Sequence, residues 1–217
     1  MIFGGAILFF KSYPSGKNIP SLSQNNNSIA GNIIPQNQGT SSGDSQNSNI
    51  LNNFSDPLNR ASERITKKPF GIYITPATSP VQPEKFQGYH TGTDFEIFPE
   101  ELDADVSVKA VCSGKLLVKE YASGYGGVAV ELCELENNPI TVVYGHLKLS
   151  SINSKTNDSL NAGDTIGILG KGYSAETSGE RKHLHLGFHK GSIINIKGYV
   201  VSKSGLSEWV DPCLYSC

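Results

Sequence analysis

Val128-Ala129-Val130-Glu131-Leu132-Cys133, then Asn137-Asn138-Pro139, then Ile140-Thr141-Val142-Val143-Tyr144 is the stretch that decides the architecture. β-Branched and aromatic residues with period-two alternation suit a pleated strand, and an Asn-Asn-Pro cluster turns the chain back between two such runs. The same grammar extends outward. Val106 to Val111 and Lys115 to Tyr121 flank a Ser113-Gly114 turn, and Thr165 to Leu169 lies between Gly163-Asp164 and Gly170-Lys171-Gly172. Phe70 to Thr75 opens the series and Lys197 to Val201 closes it. Short strands with glycine-rich turns, and no segment of convincing helical period, indicate an all-β domain built from an antiparallel sheet folded on itself.

The chemistry is concentrated in the histidines. Of five, His90 precedes Asp94 by four residues, His146 lies in Tyr144-Gly145-His146-Leu147, and His183 and His185 flank Leu184. On a strand, residues i and i+2 point the same way, so the His-Leu-His run aims both imidazoles into one space and Leu184 away from it. Gly92, between His90 and Asp94, allows a turn tight enough for imidazole and carboxylate to converge. Two histidines and one carboxylate make a three-ligand zinc set with an open fourth position, the catalytic pattern. The surplus histidines are then free to handle protons. Each element alone also reads as an ordinary surface or strand-end histidine; their combination carries the metal reading. His189, about 13 Å along the strand from His185, reads as surface or cleft edge. Glu96 reads as a supporting or surface carboxylate, and no His-Glu-x-x-His motif is present.

Gly88-Tyr89-His90-Thr91-Gly92-Thr93-Asp94, Tyr144-Gly145-His146-Leu147, Gly163-Asp164-Thr165-Ile166-Gly167 and His183-Leu184-His185, in this order, resemble the lysostaphin-type (LytM-like) peptidoglycan metalloendopeptidases over roughly 70 to 215. The resemblance implies His90, Asp94 and His185 as zinc ligands, with His146 and His183 as an unligated catalytic pair. It also implies a folded antiparallel sheet of the duplicated-hybrid or barrel-sandwich kind, with a catalytic groove and zinc on its floor. The implied substrate is a peptide bond in a peptidoglycan stem peptide or cross-bridge. Three places depart from the family pattern. Glu100 to Asp105 forms a longer, more acidic loop, Gly179-Glu180-Arg181-Lys182 stands where a short Gly-Pro commonly precedes the histidine pair, and Gly187 stands where an acidic residue often follows it. Two other readings compete: a non-catalytic LytM-like module that binds or activates a cell-wall amidase, and a zinc-dependent domain on a similar scaffold with another substrate.

The flanks set the organisation. Ile2 to Phe10 is almost wholly apolar but shorter than the roughly 20 residues that span a bilayer, so residues 1–12 read as a partial anchor or export segment. Residues 13–61, rich in Asn, Ser, Gln and Gly, read as a disordered tether, and 62–217 as the metallopeptidase domain. Such an arrangement suits a membrane-anchored enzyme of the cell envelope. A formal charge of −2 without a basic block argues against nucleic acid as partner. Four cysteines allow three connectivities and suit an oxidising compartment. Cys112 with Cys133 and Cys213 with Cys217 is the favoured pairing, and four reduced thiols the alternative. Nothing in the pattern assigns an oligomeric state.

Overall fold

The computed structural model describes residues 54–217. Twelve strands succeed one another: β1 (Tyr73–Ile74), β2 (Gly88–His90), β3 (Gly92–Glu96), β4 (Ser107–Lys109), β5 (Gly114–Ala122), β6 (Gly126–Leu135), β7 (Asn138–Leu147), β8 (Ser159–Leu160), β9 (Thr165–Ile168), β10 (His183–Lys190), β11 (Tyr199–Val200) and β12 (Trp209–Val210). The main sheet runs β12-β10-β7-β6-β5-β8, with β3 also paired to β10. A three-stranded sheet β1-β2-β11 and a pair β4-β9 lie beside it. Every strand pair is antiparallel, the all-β class expected.

The β6–β7 hairpin is the spine. Glu136 and Asn137 both have positive φ (51° and 63°) between the paired residues Leu135 and Asn138, a two-residue turn whose twist matches that of the strands. The reversal thus comes one residue earlier than Asn137-Asn138-Pro139 suggested. Pro139 already lies within β7, its carbonyl accepting from Gly191 N–H at 2.8 Å.

One face of the sheet builds the core. Val142 and Tyr144 of β7, Leu184, Leu186 and Phe188 of β10, and Phe95 of β3 are fully buried together. A smaller cluster of Tyr125, Val128, Val130 and Val143, covered by Ile194 and Ile196, occupies the opposite face. Coverage on both faces explains why β6 reads Val128-Ala129-Val130 with no polar residue in alternation.

The domain begins earlier than its composition suggests. Ser55 N–H donates to Val111 O at 2.7 Å and Lys109 N–H to Pro57 O at 2.9 Å, so the chain pairs along the 109–111 segment. Leu58 and Ala61 are buried, and Phe54 packs between Phe188 and Tyr215 at centroid distances of 5.7 and 5.5 Å. The boundary at 61/62 is therefore corrected: a tether cannot include 54–61, whose few apolar residues are scattered in a polar run but all face the core. The rest of the expected tether and the 1–12 apolar segment lie outside the described residues.

Disulfides join Cys112 to Cys133 (Cα–Cα 6.2 Å) and Cys213 to Cys217 (4.8 Å). The first ties the turn between β4 and β5 to β6, and the second spans the turn at Pro212–Leu214. Among the described residues no helix is long and apolar enough to cross a membrane.

Candidate active site

Strand β10 is clasped on one edge by β7 and on the other by β3, with His185 opposite Asp94 and His183 opposite Glu96. Side chains directly opposite in an antiparallel pair share a face, and so do residues two apart. His183, His185, Asp94 and Glu96 are therefore gathered by register alone, while Leu184, Leu186 and Phe95 go to the core.

His90 arrives from the other sheet. It is the last residue of β2, paired with Tyr199 of β11, and Thr91 carries the chain across to β3, with its N–H donating to Gly198 O at 3.0 Å. Gly92 is not the turn residue expected, since its backbone is not among the positive-φ glycines. Its need is space: a Cβ there would lie 2.3 Å from Leu186 O and 2.8 Å from the His185 ring.

Three donors converge. His90 Nε2 lies 3.0 Å from His185 Nδ1 and 3.3 Å from Asp94 Oδ1, and His185 Nδ1 lies 3.2 Å from that same oxygen. All three residues are buried. His90 Nδ1 meets Pro69 O at 3.2 Å; a carbonyl only accepts, so the proton sits on Nδ1 and neutral Nε2 presents a bare lone pair to a carboxylate oxygen. Two acceptors that close repel unless a cation lies between them. Zinc bonds of about 2.0–2.1 Å in tetrahedral array set ligand atoms about 3.3 Å apart, so the spacing and the donor chemistry both fit zinc. Burial pushes His185 down to about 4 against the pull of Asp94, which keeps the ring neutral.

The remaining two histidines adjoin this trio without belonging to it. Val128 pairs with Gly145 and Gly127 with Leu147, so His146 is the extra residue of a β-bulge, at φ 65°. A bulge re-aims one side chain out of the strand's alternation, and here it turns His146 to face His183 at a centroid distance of 4.2 Å. Left-handed backbone at a non-glycine residue is uncommon and concentrates at functional sites. Burial, then His183, holds the His146 imidazole well below its ordinary value, and its Nδ1 has no hydrogen-bond partner. His183 Nδ1 donates to Arg181 O at 2.9 Å, leaving Nε2 3.3 Å from Asp94 Oδ2. Tyr125 packs over both His146 and His185, at 5.4 and 5.2 Å. Gly145 makes room for it, since a Cβ there would sit 2.4 Å from the Tyr125 ring.

Sequence reasoning missed Arg181 and Tyr125. Arg181, buried at 7% exposure, chelates Glu96 from Nε (3.0 and 2.9 Å) and donates from Nη2 to Asp94 Oδ2 at 2.9 Å. The signal was an arginine two residues before a histidine strand, within a segment already at odds with the family pattern. Glu96 is a supporting carboxylate, also 3.3 Å from Lys67 Nζ. His189 is not at the surface: it is buried edge-on against Trp209, centroids 4.9 Å apart.

A model of Peptidase family M23 matches residues 88–197, the span from β2 to the end of the segment after β10. The chain belongs to Peptidase family M23. All five residues gathered at this M23 site lie inside the matched span. No curated protein matches the chain. Among solved structures, it is similar to the catalytic domain of the antimicrobial peptidase lysostaphin from Staphylococcus simulans, at 22% identity and TM-score 0.47 over 71% of this chain and 96% of that one. LytU is similar at 26% identity and TM-score 0.46, covering 69% and 81% of the two chains. A chain of the SpoIIIAH and SpoIIQ complex is similar at 20% identity and TM-score 0.46, covering 75% and 99%.

Proposed function

We propose that this M23 protein is a zinc-dependent endopeptidase hydrolysing peptide bonds in peptidoglycan stem peptides or cross-bridges. The observation that carries the reading is the placement of two unligated histidines, His146 and His183, against a buried His-Asp-His trio of zinc-compatible spacing. A groove serving only to bind would need neither the convergent donors nor a strained histidine beside them.

His90 Nε2, Asp94 Oδ1 and His185 Nδ1 would hold the ion. Zinc so held would acidify a water and polarise the scissile carbonyl. His146, neutral because it is buried, accepts a proton from the attacking water at a ring nitrogen. As the carbon–nitrogen bond breaks, that proton passes to the leaving amine. His183, whose Nδ1–H is held by the Arg181 carbonyl, would stabilise the oxygen on which charge develops by donating from a protonated Nε2. Tyr125, whose hydroxyl burial holds in its protonated form, walls this face.

A peptidoglycan substrate places the activity outside the cytoplasm, where both disulfides are at home. The apolar run Ile2 to Phe10 is assigned to membrane attachment on composition alone. The test is metal analysis of the purified chain together with digestion of peptidoglycan sacculi and mass analysis of the released fragments. Stoichiometric zinc and newly freed peptide termini are expected. Zinc-loaded protein that leaves sacculi intact but stimulates an amidase would replace this reading with the binding-module one.

A further inference from the structure

Asp94 divides its two oxygens between different tasks. Oδ1 faces His90 Nε2 and His185 Nδ1 at 3.3 and 3.2 Å, whereas Oδ2 faces Arg181 Nη2 at 2.9 Å and His183 Nε2 at 3.3 Å. The guanidinium is itself immobilised, its Nε and Nη2 both engaged by Glu96. We infer that Arg181, braced by Glu96, is a positioning residue that restricts Asp94 to one oxygen toward the metal and fixes the orientation of His183. The inference rests on the proposed zinc site.

The geometry makes both halves of this assignment necessary. A free carboxylate beside a cation can swing to offer both oxygens, and doing so here would fill the open coordination position that catalysis needs. Arg181 opposes that swing with a charge-assisted hydrogen bond in a buried setting, the strong kind. Its carbonyl, two residues before His183, takes the Nδ1–H and so sets that imidazole's tautomer and rotation. Lysine could supply the charge at this position but not the planar fork that spans two carboxylates.

Two of the departures from the family pattern, the acidic loop and the segment before the histidine pair, form one unit. Next to Arg181, Lys182 is buried and donates to the carbonyls of Glu101, Leu102 and Ala104. Glu101 in turn is gripped by Arg64 at 2.6 and 2.7 Å. The acidic loop and the Arg181-Lys182 segment thus brace each other from the cleft wall down to the ligand.

Full-length Arg181→Met, Arg181→Lys and His185→Ala chains would be compared with the parent. Zinc affinity would be measured by chelator competition, and cobalt(II), substituted for zinc, would report coordination number through its visible absorption. Arg181→Met should bind zinc about 10- to 100-fold more weakly, the usual cost of losing a partner that orients a ligand. Its cobalt spectrum should weaken toward that of a higher coordination number as Asp94 becomes bidentate. Arg181→Lys, which folds with its charge retained if Arg181→Met does not, should show the same spectral change. Parent affinity and an unchanged spectrum in either folded variant would overturn the inference while leaving the zinc site intact. Parent-like zinc binding by His185→Ala would instead overturn the site on which the inference rests.

Discussion

The ring centroids of His146 and His183 lie 4.2 Å apart, the planes tilted by 38°, although His183 occupies a regular strand position and His146 the extra position of a bulge. His146 has no part in the contacts that draw His90, Asp94 and His185 together at 3.0 to 3.3 Å, and His183 meets only the other Asp94 oxygen, Oδ2. His146→Ala should therefore keep its zinc yet lose on the order of 10²-fold or more in rate, the scale for a positioned acid or base. Metal content and turnover measured on one preparation check it; near-normal turnover would remove His146 from the chemistry.

His185→Ala should fail in the opposite manner. His185 provides one of the three converging donors and contacts both others, so its loss should leave the purified protein well below stoichiometric zinc. Chelation of the parent should abolish hydrolysis, and added zinc should restore it. Full zinc occupancy in the variant would show that the ligands are others.

Much of this site was legible because register does the work. Asp94-Phe95-Glu96 and His183-Leu184-His185 each alternate polar with apolar, and pairing β3 with β10 puts all four polar side chains on one face. The motif containing His146 marked the residue, but not the bulge that turns it, since a positive φ at histidine has no composition signal. Arg181 was illegible for a different reason: a buried cation is stable only with its partners, and Asp94 and Glu96 lie more than 80 residues away in the chain. The true start of the domain was hidden because Phe54, Leu58 and Ala61 are too few to lift a polar window.

Gly92 tests the close approach of the strands. A Cβ there would fall 2.3 Å from the Leu186 carbonyl, which is backbone, and 2.8 Å from the His185 ring. Backbone cannot yield as a flexible side chain can, so Gly92→Ala should cost at least about 1–3 kcal/mol, the range for overpacking. Zinc affinity should fall along with the melting temperature, because the displaced ring belongs to the proposed ligand set. Unchanged affinity with reduced stability would mean that β3 gives way and the ring does not.

A chain starting at Ser62 would lack the segment whose Ser55 and Pro57 pair with residues 109–111 and whose Leu58 is fully buried. Loss of one buried leucine side chain alone typically costs about 2–5 kcal/mol. Chemical denaturation of that truncation beside one starting at Asn53 should show a large loss only in the former. Equal stability would restore 61/62 as the boundary.

The last prediction concerns a carboxyl outside the proposed zinc site. Glu131 is fully buried, accepts a hydrogen bond from the Tyr144 hydroxyl at 2.7 Å, and lies 3.5 Å from the Cys112 sulfur of the internal disulfide. Burial pushes it up to about 7, with the Tyr144 bond opposing and Asp164 adding to the rise. A carboxyl whose pKa is raised by folding is bound as the neutral acid. Its stabilising proton is fully present below the unfolded value of about 4.3 and is lost as pH climbs toward 7. The buried histidines respond with the opposite sign in part of this window, because His146 and His185 are held below their ordinary value. The comparison must therefore be differential. Glu131→Gln keeps the shape and cannot ionise, so the stability of the parent relative to this variant should fall by about 3 kcal/mol between pH 4.5 and 8, the order set by the shift. Denaturation curves for both proteins across that range, at one fixed zinc concentration, check it. Parallel profiles would mean that Glu131 stays ionised in the fold and that its charge is met by a group other than Tyr144.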